Sequence, residues 1–200
     1  MTFVSKNLIF IHIPKSAGTS IKVALSKTCV EENHFGLKNH QTFQQLQEKN
    51  NEVIKKRFSF CVVRNPYERM ISMYRFIIRP FKLSKWFEPD NVSELLKKFN
   101  SLEKFVKDFE FPNDNWGGFD HRTSQLVWAK GVDKVFKIEN KFEIEEFLES
   151  KEIRIKIGHK NRWKRYAGQD NYYREFYNDE TKKLVKKYFE EDLDKFKYTF

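Results

Sequence analysis

The sequence predicts an α/β fold, a single domain with a central parallel sheet flanked by helices. Short apolar segments at Asn7–Ile13, Phe58–Val63 and Lys134–Ile138 are predicted to be buried strands, and each precedes a segment with helical features. Strands that alternate with helices are typical of parallel sheets, because the helix returns the chain between neighbouring strands. One domain over residues 1–200 is expected, since chains divide mostly beyond roughly 250–300 residues.

The first strand leads into a compact loop and a helix. Asn7–Ile13 is apolar throughout, as expected of a strand buried on both faces of a sheet, and it ends at Pro14. After a loop of small residues, Thr19 and Ser20 offer hydroxyl groups as helix caps, and the helix is predicted to run to about Cys29.

The second strand is also followed by a helix. A short helix over about Thr42–Glu52 precedes Phe58–Val63 in the sequence. The strand is followed closely by Pro66, which suits the first turn of a helix because its missing N–H has no partner there anyway. This helix is predicted to continue to about Ile78.

The remaining sequence is predicted to add a third strand and three more helices. The strand is Lys134–Ile138, and the helices are Ser93–Phe109, Phe142–Ser150 and Asp179–Phe196. A loop is predicted at Phe81–Asn91 and an irregular segment at Pro112–Asp120. The last helix is strongly charged, with apolar residues at helical spacing.

Cysteine usage and hydropathy exclude several classes of protein. Cys29 and Cys61 each lie in an apolar stretch, and neither is near a second Cys or a His at metal-ligand spacing. A disulfide framework and a metal site are therefore not expected. No apolar run approaches the roughly 20 residues that span a bilayer. Leu8–Ile13 precedes Pro14-Lys15 rather than a cleavage site, so it is interpreted as a strand and the expected location is cytoplasmic.

The first candidate site is His12-Ile13-Pro14-Lys15-Ser16-Ala17-Gly18-Thr19-Ser20. A strand enters a loop of small residues and a helix leaves it, so backbone N–H groups and the positive end of the helix dipole can bind phosphate. The loop is not a Walker A motif, because Lys15 precedes Gly18 and the first glycine of that motif is absent. The alternative is a generic strand–turn–helix junction.

The second candidate site begins at Arg64, where the strand Phe58–Val63 ends. This is where α/β folds place ligand-binding residues, and a guanidinium suits a phosphate monoester. Ser72 follows two helical turns later, within reach of an anion that a long arginine also holds. The alternative is that Arg64 pairs with a carboxylate and Ser72 is an ordinary helix residue.

Together, the two segments resemble the sulfotransferases that use 3′-phosphoadenosine 5′-phosphosulfate (PAPS), in the branch of carbohydrate (Golgi-type) enzymes and their bacterial relatives. The resemblance implies a P-loop-like sulfotransferase fold. It also implies that Arg64 and Ser72 hold the 3′-phosphate of PAPS and of the product PAP. The residues implied at the 5′-phosphosulfate are Lys15, Ser16, Ala17, Gly18, Thr19 and Ser20.

Further segments resemble the family less closely. Lys38-Asn39-His40 lies near the position of a catalytic His in related enzymes, since His40 is 24 residues before Arg64. The segment from His121 to Gln125 is similar to a His-x-x-x-Gln segment of carbohydrate sulfotransferases. The segment Phe136-Lys137-Ile138-Glu139 and the ending Tyr188–Tyr198 are also similar, with Lys197 where glycine is usual.

The resemblance predicts in-line transfer of a sulfuryl group from PAPS to an acceptor hydroxyl, and it implies that this hydroxyl belongs to a carbohydrate or glycoconjugate. Lys15 is the candidate for stabilising the leaving oxygen, so no metal is required. His40 is the first candidate for the base, by spacing and resemblance. His121 is the second, because it follows a Gly-rich loop, and Glu68 is a further alternative that is more simply a helix-dipole partner.

The net charge of +10 favours anionic partners, although a solvated lysine-rich surface is also consistent with it. The alternative function is a nucleotide- or RNA-binding protein with a sulfotransferase-like fold and no transfer activity, and the basic, aromatic segment Gly158–Tyr166 is the feature that suggests it. A kinase with a degenerate P-loop is a further alternative. The preferred interpretation involves a small-molecule or glycan acceptor, no nucleic acid and no membrane span. The acceptor side is either minimal or completed by a second subunit, as in a homodimer.

Overall fold

The computed structural model describes residues 2–32, 40–80, 88–110, 119–158 and 171–200. The chain groups into two compact units. The first consists of Met1–Arg64 with Gln125–Ala167, and the second of Asn65–Ser124 with Gly168–Phe200. The single domain over residues 1–200 stays a prediction.

The first unit contains a sheet whose described strands are β1 (Phe3–Val4), β2 (Leu8–Ile11), β3 (Phe58–Val63) and β4 (Lys134–Lys137), in the order β1-β2-β3-β4. β2, β3 and β4 are parallel, and β1 pairs with β2 in the antiparallel direction. The predicted α/β fold with a central parallel sheet is confirmed. β1 was not predicted, because two residues are too few for a strand pattern.

The described helices are α1 (Gly18–Leu25), α2 (Phe43–Ile54), α3 (Pro66–Ile77), α4 (Pro89–Lys98), α5 (Leu102–Asp108), α6 (Leu126–Ala129), α7 (Lys141–Glu149), α8 (Asp179–Tyr188) and α9 (Glu190–Phe196), with 3-10 turns at Ile138–Asn140 and Tyr172–Phe176. Among these, no helix is long and apolar enough to cross a bilayer.

The core of the first unit lies between the sheet and its helices. Every residue of β2 is buried, which explains why its sequence is apolar without alternation. Phe60 and Phe136 from neighbouring strands pack in an edge-to-face pair with ring centroids 5.8 Å apart. The same cluster contains side chains of α1 and α7: Ile21, Ala24, Leu25, Ile144 and Leu148.

The second unit has its own apolar cluster, formed by helices. The buried side of α3 packs in this cluster with residues of α5 and α8. Its fully buried members include Ile71, Ile77, Phe105, Phe109 and Val185. Each unit therefore has a separate core.

Two long predicted helices are each divided in the structure. The predicted helix Ser93–Phe109 is α4 followed by α5, because the Ser101 hydroxyl accepts a hydrogen bond from the Lys104 N–H and starts a new helix. The predicted helix Asp179–Phe196 is α8 followed by α9, with the break at Phe189, whose φ of −122° is not helical. These two predictions of continuous helices were wrong.

The start of α1 also differs from the prediction. Thr19 and Ser20 lie inside the helix, and the residue at the N-cap position is Ala17. The helix ends at Leu25 rather than near Cys29. Most of the predicted loop 81–91 and most of the irregular segment 112–120 lie outside the described residues, and α4 begins within the former at Pro89.

Candidate functional site

The loop between β2 and α1 has an unusual backbone. Lys15 and Ala17 both have left-handed conformations, with φ of 65° and 59°. Such a conformation is unfavourable by about 1–2 kcal/mol for a residue other than glycine, so the surrounding contacts must hold it. A loop of this kind points successive backbone N–H groups to one side, which is the geometry of an anion site.

The start of α1 favours the same use. Among the described residues, no side chain caps the helix through a hydrogen bond at Ala17, and the first turn contains no acidic residue. The first N–H groups of a helix have no partner within the helix, and they lie at the positive end of its dipole. The junction is therefore suited to an anionic ligand.

Gly18 is packed directly against the ring of His12. A Cβ atom at residue 18 would lie 1.8 Å from Cδ2 and 2.1 Å from Nε2 of His12. His12 is 8% exposed and lies just after the end of β2. Glycine is required here because the loop passes close to the imidazole.

Arg64 is close to this loop. It follows the last residue of β3, and its Nη1 donates a hydrogen bond of 3.2 Å to the Lys15 carbonyl. The structure thus brings the two candidate motifs together, although Lys15 and Arg64 are 49 residues apart in the sequence. Both are cationic side chains at neutral pH, and together they suit a ligand with more than one anionic group.

Gln125 links the same two segments, and its amide is completely buried. Its Oε1 accepts hydrogen bonds from the Ser16 hydroxyl at 3.0 Å and from the Arg64 N–H at 2.9 Å. Its Nε2 donates to the Arg64 carbonyl at 2.9 Å. From the sequence, Gln125 was recognised only as part of a segment similar to carbohydrate sulfotransferases, and no role was predicted for it.

His40 also lies beside this junction. Its Nδ1 is 3.1 Å from the His12 carbonyl, and the two imidazole rings have centroids 4.6 Å apart. Because a carbonyl can only accept, the proton is on Nδ1, and Nε2 carries the lone pair in the neutral ring. The Trp128 indole N–H donates to the His40 carbonyl at 2.7 Å and holds its left-handed backbone in place.

One comparison with known proteins decides the family. A family model described as the sulfotransferase family matches residues 1–199. The chain belongs to the sulfotransferase family. No curated protein and no solved structure matches the sequence significantly. Members of this family generally use PAPS as the donor.

In this sulfotransferase, the second histidine candidate lies in an apolar environment. His121 is 1% exposed, and its ring packs against Phe105 and Phe109 with centroids 4.8 Å and 5.8 Å away. Burial, aided by the nearby charge of Arg122, lowers the pKa of His121 to about 4. The ring is therefore neutral and weakly basic at pH 7.

Several predicted site residues belong to different units of the sulfotransferase. Lys15, His40 and Arg64 belong to the first unit, whereas Ser72 and His121 belong to the second. Ser72 is partly buried on α3. Its joint action with Arg64 on a 3′-phosphate stays a prediction.

A buried charge network in the second unit was not predicted. The Arg69 side chain is 1% exposed and donates to the Thr123 carbonyl at 2.9 Å. Burial lowers its pKa to about 10, and the negative charges of Asp192 and Asp120 act in the opposite direction. Ser124 donates to Asp192 at 2.6 Å. The available sequence signal was that Arg69 shares a helix face with Pro66 and Met73, three residues before it and four after it.

The described residues of the sulfotransferase contain no group of three or more His, Cys, Asp or Glu side chains placed to hold a metal ion. The segments 33–39 and 159–170 lie outside the described residues, and with them most of Lys38-Asn39-His40 and of the basic segment Gly158–Tyr166.

Proposed function

We propose that this sulfotransferase moves a sulfuryl group from PAPS to an acceptor hydroxyl on a carbohydrate or glycoconjugate, with a histidine as the base. The observation that supports the proposal best is the strained loop at Lys15–Ala17, which opens α1 and meets the side chain of Arg64. An anion-binding loop and a neighbouring guanidinium match a donor that carries phosphate groups at both ends of one ribose.

The residues present fit the donor by their chemistry. The loop supplies backbone N–H groups and the Lys15 ammonium for the 5′-phosphosulfate, with Ser16, Thr19 and Ser20 adding hydroxyl groups. Arg64 supplies a planar fork for the 3′-phosphate, and Ser72 is proposed to assist it. Gly18 lets the loop lie against His12 without a side chain between them.

PAPS supplies the sulfuryl group when it is bound. The acceptor oxygen forms the new S–O bond as the bond from sulfur to the bridging phosphate oxygen breaks. Lys15 is proposed to stabilise the negative charge that develops on that bridging oxygen. Because Lys15 and Arg64 supply the positive charge, the proposal requires no metal ion.

His40 is the better candidate for the base of the two histidines. Its proton on Nδ1 leaves Nε2 able to accept the proton of the acceptor hydroxyl. His121, by contrast, is buried among phenylalanine rings with a pKa of about 4. We therefore assign the base to His40.

The donor site is tested by calorimetric binding of PAP to the wild type, Arg64→Ala and Arg57→Ala. Arg57 is the matched control, because it precedes β3 at the opposite end and pairs with Glu32. We expect micromolar affinity for the wild type and a loss of about 10- to 100-fold in Arg64→Ala, as for a charged hydrogen bond worth about 1.5–3 kcal/mol. Arg57→Ala should bind like the wild type.

Failure of the wild type to bind PAP would contradict the proposal. RNA affinity that falls steeply with salt, without sulfuryl transfer, would then favour the binding-protein alternative. If PAP binds, incubation with PAPS and a panel of saccharides, followed by mass spectrometry of the products, identifies the acceptor class.

The base is tested with His40→Ala and His121→Leu in the same transfer assay. We expect kcat to fall by about 10²–10⁴ in His40→Ala while PAP affinity is retained. Full activity in His40→Ala would remove His40 from the mechanism.

A further inference from the structure

We propose that Gln125 is a positioning residue of the donor site, whose amide fixes Arg64 relative to the loop that contains Ser16. This inference rests on the proposed function, since it concerns how the two candidate phosphate sites are held at a fixed separation. It assigns no contact between Gln125 and the substrate.

The backbone of Arg64 lies just beyond the paired part of the sheet. The ladder from β3 to β4 ends at Val63 opposite Lys137, and the ladder to β2 ends at Cys61 opposite Ile11. Buried backbone N–H and C=O groups need hydrogen-bond partners. Gln125 provides both, since Oε1 accepts from the Arg64 N–H and Nε2 donates to the Arg64 carbonyl.

The amide of Gln125 therefore acts as a neighbouring strand would act. The peptide groups on each side of the Arg64 Cα atom are fixed, which sets the direction in which the guanidinium leaves the backbone. The same Oε1 holds the Ser16 hydroxyl at 3.0 Å, so the loop and Arg64 share one partner.

Gln125 is itself held firmly. Its side chain is 0% exposed, and its carbonyl accepts hydrogen bonds from the N–H groups of Trp128 and Ala129 in α6. The same short helix presents Trp128, whose indole N–H donates to the His40 carbonyl. Residues 125–128 thus hold the backbone of the candidate base as well as that of Arg64.

The contacts require a side chain that accepts and donates at once. An ionised carboxylate of the same shape can accept from Ser16 and the Arg64 N–H, but it would place a second oxygen against the Arg64 carbonyl. A protonated carboxyl group restores the pattern, because its hydroxyl can donate where Nε2 donates. A thioether does neither at useful strength.

The experiment is PAP binding to the full chain as wild type, Gln125→Met, Gln125→Glu and Ser59→Ala, measured between pH 9 and pH 5.5. Ser59→Ala is the matched control, because it removes a fully buried hydrogen-bonding side chain from the opposite end of β3, where Ser59 contacts Asp133 at 2.7 Å. Thermal unfolding of each variant verifies the fold.

We expect Gln125→Met to weaken PAP binding by about tenfold or more, as misplacement of a binding group does. Gln125→Glu should bind PAP weakly at high pH. Its PAP affinity should approach that of the wild type as the pH falls, because the introduced carboxyl group is then protonated. Each affinity is compared with that of the wild type at the same pH. Ser59→Ala should lose stability and keep its PAP affinity.

The outcomes separate the two proposals. If the wild type binds PAP and a folded Gln125→Met binds it equally well, Gln125 has no positioning role and the proposed function stands. If Gln125→Glu binds PAP more weakly than the wild type by the same factor at every pH, the proposed hydrogen-bond pattern is wrong. This test holds even if Gln125→Met does not fold. Absence of PAP binding to the wild type overturns both.

Discussion

Residue 18 has no room for a methyl group, so Gly18→Ala tests the packing of the donor loop directly. The added Cβ would lie 1.8 Å from Cδ2 of His12, far below the closest contact that carbon atoms tolerate. The imidazole cannot easily turn away, because it is 8% exposed and packs beside Phe10 and His40. The substitution must therefore displace the ring or the start of α1.

The expected size of the effect follows from overpacking in other proteins. Inserting a methyl group into a filled site is unfavourable by about 1–3 kcal/mol. For a chain of this length, each kcal/mol lowers Tm by about 2–4 °C, so the expected fall is roughly 2–12 °C. PAP affinity should fall as well, because the displaced groups include the backbone of the proposed phosphate site.

The matched control is Gly158→Ala. A Cβ atom at residue 158 has no heavy atom within 4 Å, so we expect a change in stability within about 0.5 kcal/mol. Urea unfolding gives the free energy of unfolding of both variants. Equal stability of Gly18→Ala and Gly158→Ala would refute the placement of the His12 ring.

Removing the ring should relieve the clash. We expect His12→Ala to destabilise the wild type by itself, but Gly18→Ala to be less harmful in the His12→Ala background than alone. A double-mutant cycle measures this coupling, which is about 0.5–3 kcal/mol for residues in contact. Strict additivity would show that the two residues do not share the space.

Three further predictions concern the rest of the chain. The pKa of His121 is about 4 in the folded chain and about 6.5 in the unfolded chain, so protons bind preferentially to the unfolded chain. The free energy of unfolding should therefore fall by about 2 kcal/mol between pH 7.5 and pH 5. In urea unfolding, His121→Leu should not show this loss of stability. The same pH profile in His121→Leu and in the wild type would contradict the lowered pKa of His121. Arg69→Met should destabilise by about 3–5 kcal/mol, because Arg69 is buried and its positive charge interacts with the negative charge of Asp192. Asp192→Asn in the same chain should offset part of that loss, and additive effects in urea unfolding would contradict this interaction. Cys61 is buried, and burial raises the pKa of its thiol. Alkylation of the native protein, followed by mass spectrometry, should therefore label the more exposed Cys29 first, and equal labelling of the two cysteines would contradict the structure.

Strands β2 and β3 could be predicted from the sequence because all residues of β2 and all but the first of β3 are buried. Phe58–Val63 has the same bounds in the prediction and in the structure. The positions of helix breaks were harder to predict, because the apolar spacing continues across Ser101 and Phe189 while the backbone does not. At Ser101 a capping hydrogen bond, rather than hydrophobic periodicity, sets the boundary.

The candidate site could be predicted only where its residues lie close together in the sequence or at the end of a recognisable strand. The loop residues Lys15 and Ser16 lie in one continuous motif, and Arg64 lies at the end of a recognisable strand. The role of Gln125 was not predictable, because its partners are 109 and 61 residues away and the contacts exist only once the sheet has formed. Its single available signal was the similarity of the surrounding segment to carbohydrate sulfotransferases.

The position of His40 shows how these contacts combine. Its backbone is left-handed, its Nδ1 meets the His12 carbonyl, and its own carbonyl meets the Trp128 indole. His12 in turn fixes the space beside Gly18, and α6 begins directly after Gln125. Described contacts within the first unit therefore connect the proposed base, the proposed phosphate loop and Arg64.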